Sequence, residues 1–260
     1  MEHQERALAA FVADQRAAGD ATGVVVVGSV ARGTEREDSD VDVYLVVPDR
    51  DFRQALADNR VAWVERHDVD YPGGYVDVKL TCPWYLAEAA RRGDDPTRAS
   101  FEGARVAWSR DPGLGRAIDA VARLDDAEWD RRVASHLAQV RIHGGYFLEQ
   151  SVAFGDDFLR SHATTHLTLA VGRLALAKAR RFLRGPKYVT AAMADLPVPG
   201  DVAAAWHETV GTGSPEASAR LVAAVEAWTG DMLPAESTLS TFIRDNELAW
   251  LRGTLPAEYA

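Results

Sequence analysis

Gly28-Ser29-Val30-Ala31-Arg32-Gly33-Thr34-Glu35-Arg36-Glu37-Asp38-Ser39-Asp40-Val41-Asp42 joins a glycine-serine turn to two carboxylates held two residues apart. The run before it, Val24 to Val27, is entirely β-branched and short. It reads as a buried strand that delivers Gly28 and Ser29 to the end of a sheet. After it, Val43-Tyr44-Leu45-Val46-Val47 continues as a second apolar strand. On that strand Asp40 and Asp42 share one face, while Val41, Val43, Leu45 and Val47 take the other. Neighbouring carboxylates on one face repel unless one takes up a proton or a cation sits between them. A bound Mg²⁺ removes the conflict. An acidic loop or an ordinary strand end explains either half alone. The ordered conjunction of strand, Gly-Ser, a second glycine, Ser-Asp-x-Asp and another strand favours a metal and nucleotide site.

The rest of the chain bounds what such a site can serve. Its 260 residues, 47% of them hydrophobic, suffice for one large domain or two modest ones with a true core. A formal charge of -10 disfavours nucleic acid as a bulk partner, because phosphate backbones call for a basic stripe. An acidic chain still binds a polyphosphate when divalent metal supplies the positive charge, and it suits a cationic acceptor. Cys82 is the only cysteine and reads as a small buried hydrophobe. Met1-Glu2-His3-Gln4-Glu5-Arg6 lacks the basic start of a signal peptide, and no apolar run nears the ~20 residues of a membrane span. A soluble, cytoplasmic protein is expected.

Leu8, Phe11 and Val12 predict an amphipathic helix over 5–18. Strands are predicted at 23–28, 40–47, 61–66, 75–81 and near 104–108, with a helix between Pro48 and Arg60. This is an α+β (mixed α/β) unit ending at residue 110. Past Asp111-Pro112-Gly113 strand-like runs vanish. Helices are predicted at 114–123, 126–151, 157–184, 187–195, 201–210, 215–230 and 236–251, broken by Gly-Pro and Pro-Gly punctuation. The expected domains are residues 1–110 and an all-α helical bundle over 111–260.

A two-metal site for nucleotidyl transfer needs a third acid from a neighbouring strand. In Tyr75-Val76-Asp77-Val78-Lys79-Leu80, the alternation sets Asp77 on the polar face with Tyr75 and Lys79. Asp68 and Asp70 are rivals in a turn-like stretch, and a strand holds a ligand more tightly than a loop. Gly28 lets backbone approach phosphate, and Ser29 offers its N–H and hydroxyl. Arg32 can reach the same anion or pair with Glu35 or Glu37 at the surface.

These residues resemble the polymerase-β-like nucleotidyltransferase superfamily: Gly-Ser, Arg-Gly-Thr, Ser-Asp-x-Asp closing on an apolar strand, then a strand-borne aspartate. A catalytic domain followed by a helical one resembles, within it, the antibiotic (aminoglycoside or lincosamide) nucleotidyltransferases. The resemblance rests on residues 24 to 47 and 75 to 80. It implies a small mixed sheet, with Mg²⁺, two ions of it, at Asp40 and Asp42. It also implies transfer of a nucleoside monophosphate, AMP from ATP or another nucleoside triphosphate, to a small hydroxylated acceptor in the cleft between the domains. The third acid, as metal ligand, general base or both, maps onto Asp77. Relatives carry a lysine followed by an aromatic residue near the triphosphate, which maps onto Lys187 before Tyr188; a surface lysine is the plain alternative. Some relatives take the base from the helical domain, where Glu149, Asp156 and Asp157 are the candidates. A protein-modifying (AMPylating) enzyme of the toxin-antitoxin type and a nucleotide-binding module without turnover remain alternatives.

His162 and His166 stand four apart on a predicted helix, but Ala163-Thr164-Thr165 between them lacks the glutamate of a zinc-hydrolase motif. The zinc reading is set aside in favour of partly buried histidines. Trp129 and Trp206 can line an acceptor pocket, though helical spacing explains them as core.

Overall fold

The β-branched runs form strands where both faces can be covered. A computed structural model describes residues 1–259. By its internal contacts the chain divides into two units, Met1–Arg123 and Leu124–Ala260.

In the first unit, α1 (Glu2–Ala18) precedes β1 (Gly23–Val26), the short α2 (Gly28–Arg32) and β2 (Val41–Val46). Then come α3 (Asp49–Ala57), β3 (Ala62–Glu65) and β4 (Val76–Thr81), followed by α4 (Pro83–Arg92), α5 (Asp95–Phe101), β5 (Arg105–Ser109) and α6 (Leu114–Val121). The strands lie in the order β3-β4-β2-β1-β5. Only β2 and β4 are parallel, so the sheet is mixed. One face packs Val24, Val26, Val41, Val43, Leu45, Val76 and Val78 against Leu8 and Phe11 of α1 and Phe52 of α3. The other packs Val25, Tyr44 and Val46 against Leu86, Phe101, Leu114, Ile118 and Val121. That second layer is why α6, expected in the helical domain, groups with the sheet. Cys82 is buried as expected, and its sulfur also caps α4 by accepting from Tyr85 N at 3.4 Å.

The second unit is helical: α7 (Asp126–Arg141), a π-helical turn (Ile142–Phe147), α8 (Leu148–Phe154), α9 (Asp157–Lys178), α10 (Val189–Asp195), α11 (Gly200–Thr212), α12 (Pro215–Thr229) and α13 (Thr238–Asp245). The helix expected over 126–151 is thus interrupted by a wider turn at Gly144-Gly145, where glycines weaken the helical preference. The helix expected to reach 184 stops at Lys178, because Arg180 turns left-handed (φ 54°). Along α9, Ala163, Leu167, Ala170, Val171, Leu174 and Ala177 are all buried, the pattern of a helix enclosed by its neighbours. Trp129 packs tilted against Phe182 at 4.9 Å between centroids, and Trp206 donates Nε1–H to Thr168 O at 2.8 Å. Both are core fillers. Asp245, 2% exposed, accepts a two-pronged pair from Arg244 at 2.8 and 2.7 Å. No described helix is long and apolar enough to cross a membrane.

Candidate functional site

Parallel pairing sets Asp42 opposite Asp77 and Tyr44 opposite Lys79. Paired residues project to the same side, so Asp42 and Asp77 share the face that carries Tyr44 and Val46. The helices covering Tyr44 and Val46 do not bury the two acids, whose side chains keep 27% of their exposure. Asp40 lies just before β2, where Val41 N donates to Tyr75 O at 2.9 Å. A hydrogen bond from the Tyr75 hydroxyl to Asp40, and the charge of that carboxylate, push the phenol's pKa up.

Gly28 packs against Asp42 from the neighbouring strand end. Val27 N donates to Asp42 O at 3.0 Å. Gly28 has φ 70°, and a Cβ there would overlap Asp42 Oδ2 and sit 2.9 Å from its Cγ. Only glycine fits on both counts. Ser29 follows at the start of α2, and Arg32 closes that helix near enough for its charge to act on Asp42.

Lys79 was visible on the polar face of its strand, but no role followed from the sequence. Its Nζ sits 2.7 Å from Asp77 Oδ2 and 3.8 Å from Asp42 Oδ1. A lysine ammonium is thus the cation between these two acids. It does not balance the site, because one ammonium meets Asp42 and Asp77 while Asp40 also acts on Asp42. Burial and the neighbouring Asp40 raise the Asp42 pKa, and Lys79 offsets only part of the rise. Burial pulls Lys79 down, but the hydrogen bond and charge of Asp77, with Asp42, outweigh it and raise its pKa. An all-oxygen donor set with surplus negative charge is the kind a hard divalent cation takes. The cage is not preformed, because Asp77 is engaged by Lys79. Among the described residues, the groups of three whose ligand atoms already converge within 4.8 Å lie elsewhere: His143, His166 and Glu258, and the exposed Asp14, His67 and Asp68.

The remaining candidates separate. Asp70 pairs with Arg6 at 3.3 Å and Asp68 with His67 at 2.9 Å, so neither rival lies in the Asp42 register. Lys187 is in the second unit, exposed, with Nζ 5.0 Å from its neighbour Tyr188's ring centre. Asp156 caps α9 by accepting from Leu159 N at 3.0 Å, Asp157 pairs with Arg160 at 2.7 Å, and Glu149 is exposed on α8. His162 and His166 have His143 and Glu258 beside them, which the sequence spacing did not signal.

Residues 9–91 match the family described as nucleotidyltransferase domain. The first unit therefore carries such a domain, and the enzyme class is nucleotidyltransferase. No curated protein matches the chain. Among solved structures, a nucleotidyltransferase-like protein from Exiguobacterium sibiricum 255-15 is 10% identical with a TM-score of 0.49, over 89% of this chain and 73% of that one.

Proposed function

We propose that this enzyme moves AMP from ATP to a hydroxyl of a small cationic acceptor, such as an aminoglycoside-type antibiotic, and releases pyrophosphate. The observation that carries the reading is Asp42 facing Asp77 across β2 and β4, with Asp40 beside them and the Gly28 backbone pressed against Asp42. Mutually repelling acids that a single lysine leaves underbalanced serve no evident packing purpose.

In this reading Asp40, Asp42 and Asp77 hold Mg²⁺, which when bound neutralises triphosphate oxygens. Gly28 and Ser29 bring backbone N–H and hydroxyl to a phosphate oxygen. Arg32 offsets charge on the leaving pyrophosphate. Asp77 accepts the proton of the acceptor hydroxyl. The freed oxygen bonds to the α-phosphorus as the bond to pyrophosphate breaks, in line. Lys79 must release Asp77 for that step, and its ammonium is then free to meet phosphate. The acidic balance, -10 overall, favours a cationic acceptor, and a cytoplasmic location fits the use of ATP.

The test incubates the purified protein with Mg²⁺, each nucleoside triphosphate and a panel of hydroxylated amines, reading pyrophosphate and acceptor mass. The expected result is ATP-dependent pyrophosphate release with an AMP mass gain on the acceptor. The Asp40→Asn/Asp42→Asn double variant should give neither, and equal release from it would overturn the reading. A mass gain on a protein would keep the transfer and change the acceptor class.

A further inference from the structure

The second unit gathers three imidazoles and a carboxylate from three separate segments. His143 comes from the π-helical turn, His162 and His166 from successive turns of α9, and Glu258 from the chain's end. Ring centroids lie 4.9 Å apart for His143 and His166, 4.2 Å for His162 and His166, and 5.8 Å for His143 and His162. Glu258 Oε1 is 2.5 Å from His143 Nε2 and 4.0 Å from His166 Nδ1.

Two features set this apart from a chance ion pair. His143 is 1% exposed, and its Nδ1 has no hydrogen-bond partner among the described residues, so the buried ring is not explained by a finished hydrogen-bond network. The Glu258 carboxylate is held in place through its backbone. Arg173 donates to Ala257 O at 2.7 Å, Ala257 N donates to Asp245 O at 3.0 Å, and Glu258 N donates to Asn246 Oδ1 at 2.9 Å. An acidic residue pinned by these bonds and aimed at clustered imidazoles is an organised donor set. Turns of π-helix such as the one carrying His143 also recur at functional sites.

We propose that His143, His166 and Glu258 bind a borderline divalent cation of the zinc class, with His162 or water as the fourth ligand. Two nitrogens and one oxygen suit Zn²⁺, Co²⁺ or Ni²⁺, whereas Mg²⁺ prefers all-oxygen donors. The three ligand atoms lie within 4.8 Å of one another. Around a tetrahedral ion at about 2 Å they would stand about 3.3 Å apart, so His143 Nε2 and Glu258 Oε1 part from 2.5 Å while His166 Nδ1 closes from 4.0 Å. The ion replaces the proton between His143 Nε2 and Glu258 Oε1, and that proton leaves to solvent. The site lies within the second unit and ties the segment around Glu258 to the π-helical turn and α9.

Cobalt titration of the metal-stripped Asp40→Asn/Asp42→Asn protein, residues 1–260, tests this with the aspartate site silenced. The expected result is one Co²⁺ per chain, with visible d–d absorption of low coordination number and competition by Zn²⁺. Affinity should fall at least about tenfold in His166→Ala and in Glu258→Gln, a floor set by what even outer-shell changes cost a metal site. His67→Ala, in the exposed Asp14 cluster, should bind like the parent. Far-UV circular dichroism confirms that each variant is folded. Failure of the parent to bind Co²⁺ or Zn²⁺, unchanged affinity in folded His166→Ala and Glu258→Gln, or loss in His67→Ala instead would overturn the proposal.

Discussion

The Asp42 carboxylate is packed against the Gly28 backbone, faces Asp77 across the strand pair, and lies 3.8 Å from the Lys79 ammonium. Burial, then Asp40, raises its pKa above the ordinary carboxylate range. A carboxyl whose folded pKa exceeds its unfolded one contributes stability below the unfolded value, and this is lost as pH rises through the folded value. At pH 7 the ionised group therefore weighs against folding. Asp42→Asn keeps the shape and removes the charge. It should lower turnover by roughly 10³-fold or more, while raising stability at pH 7 by about 1 kcal/mol, the usual scale for relieving strain at a functional site. Urea melts at pH 7 and pH 4 check the second half: the variant's advantage should shrink at the lower pH. A variant less stable than wild type at pH 7 would mean that Lys79 depends on Asp42 more than Asp42 suffers from Asp40 and Asp77.

The strand–turn–strand element that carries this residue was readable because its signals are local. Val24 to Val27 are β-branched, Asp42 and Asp77 follow a two-residue period, and Gly28 breaks the strand where a positive φ is needed. The pairing of Asp42 with Asp77 was foreseen only as a shared polar face; the parallel register that sets them opposite each other is a long-range fact. Lys79 escaped assignment because its value depends on that register. Helices α4 and α5 are short, and their signals lie only at their ends: Pro83 and Gly93 bracket α4, and Asp94 with Pro96 opens α5. The His143 cluster stayed hidden because Glu258 is remote in sequence and the π-helical turn shifts His143 relative to a regular helix. Gly28 itself gives a prediction for the turn. Gly28→Ala places a side chain at φ 70° and against Asp42, so it should cost about 2 kcal/mol and weaken nucleotide binding as the turn and carboxylate move apart. Thermal melts and nucleotide titration by calorimetry read the two effects. In α13, Asp245 is buried against Arg244, with Arg252 at 3.3 Å and Arg131 at 3.7 Å. Burial pushes its carboxyl up, but the Arg244 hydrogen bonds and the charges of Arg244 and Arg131 prevail and hold it low. Its stabilisation is therefore present above the ordinary aspartate range and lost as pH falls through the lowered folded value. Asp245→Asn should destabilise by about 3 kcal/mol at pH 7, and the gap to wild type should narrow under acid.

At the scale of the molecule, 39 acidic against 29 basic residues give a field that reaches beyond any one contact. Such a field raises the local concentration of cations and repels anions, and salt screens it over a Debye length of about 10 Å at 0.1 M and about 3 Å at 1 M. The proposed reaction uses two substrates of opposite sign, which makes the field testable within one enzyme. For a cationic acceptor, KM should rise several-fold between low and high salt. KM for the anionic nucleotide, held at constant free Mg²⁺, should stay level or fall over the same range, because screening weakens its repulsion. The kcat should change less than either KM, since the in-line displacement occurs among groups already in contact once both substrates are bound. Steady-state kinetics with the two substrates varied in turn would separate these responses. An acceptor whose KM falls with added salt would have to be anionic, and the acidic surface would then oppose acceptor capture.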